Sequence, residues 1–282
     1  MESAQPRNKA HKIPRLHLDA DPLPDDGRPV LVLLHGFTQD HRSWGEVRDG
    51  LRRIGPTVAV DLIGHGRSPK PEALQPYRME ACLEQLEAAL ERLGLSRAWW
   101  VGYSLGGRVA MQLAVHRPGR VAGLVLLSTT AGLFELEARA ERIRADEALA
   151  SRIAGWGVEA FVDYWLEQPL FEGFKRLPPA RQRQLREQRL DNSAQGLANA
   201  LRGLGTGAMP PIWGELREVN VPGLVMAGEL DEKFASLART LASILPEGHL
   251  SILPDTGHAL HLESPLRFLK AVHGFFERLP RS

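Results

Sequence analysis

A serine hydroxyl between two glycines is the first group in this sequence that could do chemistry. Ser104 is the centre of Gly102-Tyr103-Ser104-Leu105-Gly106, a G-x-S-x-G motif. The motif follows the apolar run Ala98 to Val101 and precedes a stretch with helical spacing, Leu105 to His116. A nucleophile motif of this kind requires that strand, turn and helix context, which exposes the hydroxyl beside the positive end of the helix. We therefore predict that Ser104 acts as a nucleophile or as a proton relay.

The hydroxyl needs a base, because serine becomes reactive only when a neighbouring imidazole takes its proton. Among the ten histidines, His258 is the candidate, since it follows the apolar run Leu250 to Leu253 in a glycine-containing loop. His261 lacks that strand-end position, and we expect it to be a surface or helix-start residue. His35 and His65 lie in glycine-containing loops after strands, where we expect them to shape the backbone. His116 lies at a helix end, where its charge would compensate the helix dipole.

A carboxylate should complete the set by fixing the tautomer of the histidine. Where a G-x-S-x-G serine stands on a strand-to-helix turn, this acid lies between the serine and the histidine in the chain. Asp231 meets that requirement, because it follows the apolar run Gly223 to Ala227 in a short loop. Glu229 and Glu232 are its nearest competitors. Asp255 lies too near the histidine along the chain, and turn chemistry explains it. The predicted catalytic triad is therefore serine, aspartate and histidine in that order.

Negative charge that develops on a substrate oxygen needs hydrogen-bond donors. For a serine on a strand-to-helix turn, one donor is the backbone N–H of the residue after the nucleophile, which is Leu105. The other comes from the loop after the first apolar strand, where the sequence reads His35-Gly36-Phe37. We predict that Phe37 and Leu105 form this oxyanion hole.

The elements that must position these residues read as a parallel α/β fold. Six short apolar runs bounded by glycine, proline or aspartate predict buried strands: Val30 to Leu34, Thr57 to Val60, Ala98 to Val101, Val121 to Leu127, Gly223 to Ala227 and Leu250 to Leu253. Stretches such as Met79 to Leu93 have helical spacing and lie between them. This alternation is typical of a mostly parallel sheet flanked by helices.

One region interrupts the alternation and predicts an all-helical lid. From about Gly132 to Trp213 no convincing strand occurs, and the expected helices are Glu135 to Ile153, Val158 to Glu167, Pro179 to Leu190 and Ala194 to Leu204. The insertion follows a strand, so it would cover the carboxyl edge of the sheet, where ligands bind in open α/β folds. We therefore divide the chain into a polar N-terminal segment (1–29), a core (30–131 and 214–282) and a lid (132–213).

Composition excludes several classes of function. The 282 residues include 35 Lys and Arg against 34 Asp and Glu, so no global positive field would attract nucleic acid or an anionic membrane. Cys82 is the only cysteine, which predicts a small buried side chain and a reducing compartment. The first 29 residues lack the apolar core of a secretory signal, and no apolar run is long enough to cross a bilayer. We expect a cytoplasmic protein.

Metal chemistry is not expected. His258-Ala-Leu-His261 lacks the H-E-x-x-H spacing of zinc hydrolases, and a lone cysteine offers no cysteine pair. We predict neither a metal nor another cofactor.

With these residues in place, the chain resembles the α/β-hydrolase superfamily and, within it, the 2-succinyl-6-hydroxy-2,4-cyclohexadiene-1-carboxylate synthases. The resemblance runs from about Val30 to the end. Its stretches are Leu34-His35-Gly36-Phe37-Thr38, Val60-Asp61-Leu62-Ile63-Gly64-His65-Gly66, Val101-Gly102-Tyr103-Ser104-Leu105-Gly106-Gly107-Arg108, Arg139-Ala140-Glu141-Arg142 and Gly228-Glu229-Leu230-Asp231-Glu232-Lys233-Phe234. The arginine after Gly107, the Ala-Glu-Arg of the lid and the Asp-x-Lys-Phe after the acid are more particular to this family.

The resemblance implies a lyase that eliminates pyruvate from 2-succinyl-5-enolpyruvyl-6-hydroxy-3-cyclohexene-1-carboxylate, with the triad as base. Such a substrate carries several carboxylates, which arginine forks can bind. Arg108 is four residues beyond the serine and therefore on the same face of the helix. By resemblance, Arg142 and Arg189 are carboxylate ligands of the lid, and Trp165 and Tyr103 contact the substrate. A nearly balanced charge pattern in the lid also fits an ordinary solvated surface.

Two other functions compete at this stage. The same triad serves hydrolysis of an ester, a thioester or a carbon–carbon bond, because a fold does not fix a reaction. A catalytically silent binding domain is the other, although such domains commonly lose a triad member and this sequence retains all three. Haloalkane dehalogenation is disfavoured, since Ser104 stands where an aspartate nucleophile would be required. The only partner expected is a small anionic substrate, and the sequence leaves the oligomeric state open.

Overall fold

A seven-stranded sheet forms the centre of the protein. The computed structural model describes residues 13–23 and 26–280. The strands are β1 (Leu18–Ala20), β2 (Leu31–Leu34), β3 (Thr57–Val60), β4 (Ala98–Tyr103), β5 (Val121–Leu127), β6 (Gly223–Gly228) and β7 (Gly248–Leu253). Their order in the sheet is β1-β3-β2-β4-β5-β6-β7, and every neighbouring pair is parallel except β1 with β3. The predicted α/β fold with a mostly parallel sheet is confirmed.

Helices cover both faces of the sheet, which explains why its central strands are apolar almost throughout. The helices are α1 (Gly45–Arg52), α2 (Met79–Arg92), α3 (Leu105–His116), α4 (Leu136–Leu166), α5 (Pro179–Leu190), α6 (Ala194–Leu204), α7 (Glu232–Ile244), α8 (Leu260–Glu263) and α9 (Pro265–Phe276). Alternate residues of β2 enter two apolar cores on opposite faces of the sheet. Val32 packs in the first core, with α2, α3 and α7, whereas Leu33 packs in the second core, with α1 and α9. Cys82 is buried in the first core, as expected, and burial raises the pKa of its thiol to about 12.

The region predicted as a lid, 132–213, contains α4, α5 and α6, with a short 3₁₀ helix at Pro169–Arg176. Where the sequence predicts two helices, the structure has one element that bends at Gly157, whose φ of 79° and ψ of 176° are not helical. Glycine adopts such a conformation at no steric cost, so the chain turns there while helix continues on both sides. A separate apolar cluster, which includes Ile153, Phe161 and Leu197, joins α4 to α6.

The N-terminal segment differs from its prediction. Residues Leu18–Ala20 form a strand, which pairs antiparallel with β3, so part of the segment 1–29 belongs to the sheet. We retain the division into core and lid as a proposal, with β1 counted in the core. In the part of the chain that the structure describes, no helix is both long and apolar enough to cross a membrane.

Candidate active site

The serine lies on a strained turn between β4 and α3. Its backbone has φ of 49° and ψ of −104°, outside the regions that L-residues normally occupy. The flanking glycines make this turn possible, because a side chain on Gly102 would overlap the backbone of α3 and one on Gly106 would overlap the carbonyl of Leu34. Thr129 supports the turn, since its hydroxyl donates to the carbonyl of Ser104 at 2.9 Å. The sequence thus places the hydroxyl where the sheet ends.

The three predicted triad side chains meet at this point. The Nδ1 atom of His258 lies 2.6 Å from Oδ2 of Asp231, and its Nε2 lies 3.4 Å from Oγ of Ser104. The aspartate also caps α7 by accepting from the N–H of Phe234. A carboxylate at Nδ1 keeps a proton there and leaves Nε2 free to accept one. The geometry is therefore that of a base aimed at the serine through a long hydrogen bond, which a shift of a few tenths of an ångström would shorten to the usual length.

The competing carboxylates lie elsewhere. Glu229 accepts from the backbone N–H of Asp255 at 3.1 Å, and Glu232 is exposed in the first turn of α7. Asp255 itself is a turn residue with a φ of 51°. Only Asp231, among these four, contacts the catalytic imidazole.

A cavity of about 180 Å³ opens above the serine hydroxyl, between the sheet edge and the lid. The predicted oxyanion donors both line it. Leu105 is the first residue of α3, so its N–H has no acceptor within the helix. The N–H of Phe37 makes no hydrogen bond to any described residue. Both amides are therefore free to bind a substrate oxygen.

The loop that carries Phe37 is held from two sides. A side chain at Gly36 would overlap the ring of Tyr103, so this position requires glycine. Thr38 has a φ of 69°, and its carbonyl accepts from Nδ2 of Asn192 in the lid at 2.8 Å. Asn192 thus ties the lid to the loop of the predicted oxyanion hole.

Two of the three predicted arginines line the cavity. Arg108 is buried, and its Nη1 donates to the carbonyl of Leu204 at 2.6 Å. Burial, with the nearby charge of Arg142, lowers the pKa of Arg108 to about 10, so it remains a cation at neutral pH. Arg142 is partly exposed on α4, where its Nε donates to Asp146 at 2.7 Å. Burial raises the pKa of that aspartate.

Arg189 and Tyr103 do not line this cavity, and their contact with substrate stays a prediction from the resemblance. Arg189 is buried in α5, where it donates to the carbonyl of Leu185 at 2.6 Å and lies over the ring of Phe174. Tyr103 packs in the apolar cluster that contains Leu33, against the rings of His258 and His261. Neither side chain is among those that line the cavity.

The predicted Trp165 lines the cavity edge-on to Phe37, with 5.6 Å between ring centroids. Three further cavity residues were not predicted as ligands. They are Lys233, Thr129 and Thr130. Their position in the sequence offered a signal, since they directly follow β5 or the triad aspartate at the carboxyl edge of the sheet. Lys233 makes no ion pair with any residue that the structure describes.

Three other histidines considered in the sequence have structural positions. His35 donates from Nδ1 to the carbonyl of Gly36 at 2.8 Å and accepts at Nε2 from the N–H of Leu62 at 3.0 Å, in agreement with its expected structural role. His116 ends α3, also as expected. His261 lies in the first turn of α8, which agrees with the helix-start alternative. The alternative of a surface residue is wrong, since its ring is buried and stacks on Trp44 with 4.6 Å between ring centroids.

One group of side chains has the composition of a metal site. The possible ligand atoms of His17, His41 and Asp61 all lie within 4.8 Å of one another. Asp61, however, already accepts from the backbone and ring of His41 and from the N–H of Arg67. These hydrogen bonds occupy both carboxylate oxygens and leave little capacity for a cation.

Comparison with known proteins agrees with this geometry. Residues 29–265 match a family model described as the alpha/beta hydrolase fold. Proteins named 2-succinyl-6-hydroxy-2,4-cyclohexadiene-1-carboxylate synthase from Serratia proteamaculans and Salmonella paratyphi C are 32% and 34% identical, over 88% and 85% of this chain and 93% and 90% of theirs. A Bacillus subtilis protein, whose identical name carries a provisional qualifier, is 39% identical over 87% of this chain and 89% of its own.

Solved structures agree as well. A structure titled MenH from S. aureus superposes with a TM-score of 0.88 at 33% identity, covering 93% of this chain and 98% of that one. A thermophilic esterase from Thermogutta terrifontis has a TM-score of 0.78 at 26% identity, with 93% of each chain covered. The chain therefore belongs to the α/β-hydrolase family and, within it, to the family of 2-succinyl-6-hydroxy-2,4-cyclohexadiene-1-carboxylate synthases.

Proposed function

We propose that this enzyme eliminates pyruvate from 2-succinyl-5-enolpyruvyl-6-hydroxy-3-cyclohexene-1-carboxylate to give 2-succinyl-6-hydroxy-2,4-cyclohexadiene-1-carboxylate. The observation that carries the proposal is a hydrogen-bonded serine, histidine and aspartate beside a cavity lined by cationic side chains, Arg108, Arg142 and Lys233. The substrate has several carboxylates, so a cationic cavity suits it. Close relatives that carry this synthase name support the choice. A cytoplasmic location, predicted from composition, fits the same proposal.

The reaction begins with proton transfer. His258 Nε2 accepts the proton of Ser104 Oγ while that oxygen takes a proton from the ring carbon next to the succinyl ketone. Asp231, 2.6 Å from Nδ1, stabilises the positive charge that develops on the imidazole. The electrons of the broken C–H bond move onto the ketone oxygen to form an enolate. The free N–H groups of Phe37 and Leu105 stabilise this oxygen.

Collapse of the enolate completes the elimination. Its electrons form a double bond between ring carbons 2 and 3, the existing double bond between carbons 3 and 4 shifts to carbons 4 and 5, and the bond from carbon 5 to the enolpyruvyl oxygen breaks. The proton held by the imidazolium of His258 is available to the departing group, which leaves as pyruvate. No water is consumed and no acyl-enzyme forms, because Ser104 acts as a proton relay rather than as a nucleophile.

The cationic side chains bind the carboxylates. Arg108 uses Nη1 for the carbonyl of Leu204 and the sulfur of Met209, and its other three N–H groups, on Nε and Nη2, have no partner among the described residues. Arg142 engages Asp146 through Nε and keeps its terminal nitrogens for a ligand. Because the guanidinium of Arg108 is already desolvated, a carboxylate that pairs with it regains much of the interaction lost on burial.

Hydrolysis of an ester, thioester or carbon–carbon bond is the second candidate. The triad geometry suits it equally, and the Thermogutta terrifontis esterase shares the fold at 26% identity. The two reactions differ in what Ser104 does, since hydrolysis requires a covalent acyl-serine and the elimination does not.

The deciding experiment follows diene absorbance and pyruvate together with the pathway precursor as substrate. We expect wild-type enzyme to produce both at equal rates, and Ser104→Ala and His258→Ala to lose at least 100-fold, on the order of the effect of removing a general base. A p-nitrophenyl ester is the parallel substrate. Fast ester turnover with an acyl group trapped on Ser104, and no pyruvate from the precursor, would replace the lyase proposal with the hydrolase. Full biological complementation by Ser104→Ala would instead indicate a binding role.

A further inference from the structure

Glu263, the last residue of α8, binds the backbone on both sides of the catalytic histidine. Its Oε2 accepts from the N–H of Gly257 at 2.6 Å, and its Oε1 accepts from the N–H of Ala259 at 2.8 Å. These two amides are the immediate neighbours of His258 in the chain. We propose that Glu263 is a positioning residue, which holds the imidazole within reach of Ser104. The inference rests on the triad of the proposed function.

The two hydrogen bonds control a degree of freedom that the triad aspartate does not. Asp231 contacts the ring at Nδ1, so it restrains the far end of the side chain. The backbone of His258 lies in the loop between β7 and α8, and loops of this kind move more than the elements they connect. Because a carboxylate accepts from amides on both flanks, it fixes the direction in which the Cα–Cβ bond points. Nε2 is thereby aimed at the serine oxygen.

The lid encloses this carboxylate. A side chain on Gly173, in the 3₁₀ helix Pro169–Arg176, would overlap Oε2 of Glu263, and so would one on Gly257. Backbone from the lid and backbone from the histidine loop therefore lie in direct contact with the same oxygen. Glu263 does not line the cavity, so it touches neither substrate nor the reacting atoms. Its influence on the reaction passes through His258.

The structure offers a matched control in the same loop. Glu229 also accepts a loop amide, that of Asp255, at 3.1 Å. This contact lies three residues before the histidine and leaves both flanking amides untouched. Glu229→Ala thus removes a carboxylate-to-amide hydrogen bond from the loop without releasing His258, whereas Glu263→Ala releases it.

The test compares Glu263→Ala, Glu263→Gln and Glu229→Ala by kcat and KM for pyruvate release, with thermal unfolding to measure the folded fraction. We expect kcat of Glu263→Ala to fall about 10- to 100-fold per folded molecule, since a misplacement of about 1 Å can cost 100-fold, while KM changes less than about twofold. Glu263→Gln keeps one acceptor oxygen and should fall between this variant and wild type. Glu229→Ala should retain wild-type kcat. Gly173→Ala should lower kcat by a similar factor to Glu263→Ala, because the added methyl group displaces the carboxylate of Glu263 while Glu263 itself is retained.

A spectroscopic measurement separates positioning from general destabilisation. The proton on Nδ1 of His258, shared with Asp231, should give a low-field ¹H NMR resonance that shifts or broadens in Glu263→Ala and persists in Glu229→Ala. Equal kcat in the two alanine variants, a loss confined to KM, or an unchanged resonance would overturn the proposal. If wild type released no pyruvate, the lyase assignment alone would fail. The kcat ratios on p-nitrophenyl acetate and the resonance would then still decide the role of Glu263.

Discussion

Replacement of Arg108 tests the cationic cavity most directly. The guanidinium is buried, makes one hydrogen bond to the carbonyl of Leu204 and lines the cavity above the serine. A charge-assisted hydrogen bond contributes roughly 1.5–3 kcal/mol. At about 1.4 kcal/mol per factor of ten, loss of one such bond to a substrate carboxylate weakens binding by about 10- to 150-fold. Arg108→Ala should therefore raise KM by that factor.

The effect on kcat distinguishes two roles for this arginine. The substrate carboxylates carry the same charge before and during proton abstraction, so Arg108 should bind ground state and transition state equally and leave kcat within about threefold. Arg108→Lys should give a smaller rise in KM, because an ammonium keeps the charge but cannot hold the Leu204 carbonyl and a carboxylate with a planar fork.

Arg139 is the matched control. Like Arg108, it donates to backbone carbonyls, those of Gly207 and Ala208, but it lies on α4 of the lid and does not line the cavity. Steady-state kinetics of pyruvate release, with thermal unfolding on each variant, supply the comparison. Arg108→Ala should lose stability as well, about 1–3 kcal/mol, since the Leu204 carbonyl loses its partner. An unchanged KM in Arg108→Ala, or an equal rise in Arg139→Ala, would refute the assignment of Arg108 to substrate.

Three further predictions concern the triad, a buried histidine and a cavity lysine. Asp231→Asn should lower kcat on the order of 10³- to 10⁴-fold at similar KM, because an amide can stabilise the wrong imidazole tautomer; a loss below tenfold would contradict the 2.6 Å contact. Burial, with the nearby cations Arg189 and Arg181, lowers the pKa of His261 to about 3, so the unfolded state takes up a proton first as pH falls from about 6.5 to 3. In that pH range His261 lowers the free energy of unfolding by up to about 1.4 kcal/mol per pH unit. His261→Phe should therefore reduce the pH dependence of the free energy of unfolding, measured by urea titration at a series of acidic pH values. An unchanged pH dependence would show that His261 is not the titrating group. Lys233→Gln should raise KM about two- to fivefold and leave kcat unchanged, as expected for the loss of an exposed cation that attracts an anionic substrate. If KM were the same at low and high salt in both wild type and the variant, Lys233 would not contribute to the electrostatic attraction of substrate.

The sequence predicted best those features that depend on short spacing. The strands Thr57–Val60 and Val121–Leu127 have the predicted bounds, because each is a dense apolar run ended by a polar or turn residue. The serine, aspartate and histidine could be chosen because each directly follows a strand, and parallel strands bring their carboxyl ends to one edge. Local pattern and chain order were sufficient there.

The strand β1 could not be predicted in the same way. It has three residues, and its apolar content is too small for a period to emerge. Its place depends on distant partners: Asp21, just after it, accepts from the N–H of Thr57 at 2.9 Å and from Arg52 at 2.8 Å. Long-range hydrogen bonds of this kind have no signature in the local sequence.

The lid arginines show the same limit for the site. Arg142 and Arg189 both lie on charged helices of similar composition, and resemblance alone assigned both to substrate. Docking of α5 buries Arg189 against Phe174, whereas α4 leaves Arg142 at the cavity. Which side of a helix faces a cavity depends on how the helices pack, and a helix with charges on most of its surface does not encode that choice.

The precision of the site arises from hydrogen bonds between loops rather than from any single loop. Ser104, Phe37 and His258 follow three different strands, and each loop alone would be free to move by more than the few tenths of an ångström that proton transfer tolerates. Asn192 reaches from the lid to the Phe37 loop, and Glu263 reaches from α8 to the histidine loop, beneath the lid backbone. Since the lid contacts both restraints, it does more than cover the cavity. Substitution of the lid residue Asn192, which does not line the cavity, should therefore change kcat, whereas substitution of Arg142, which lines it, should change KM.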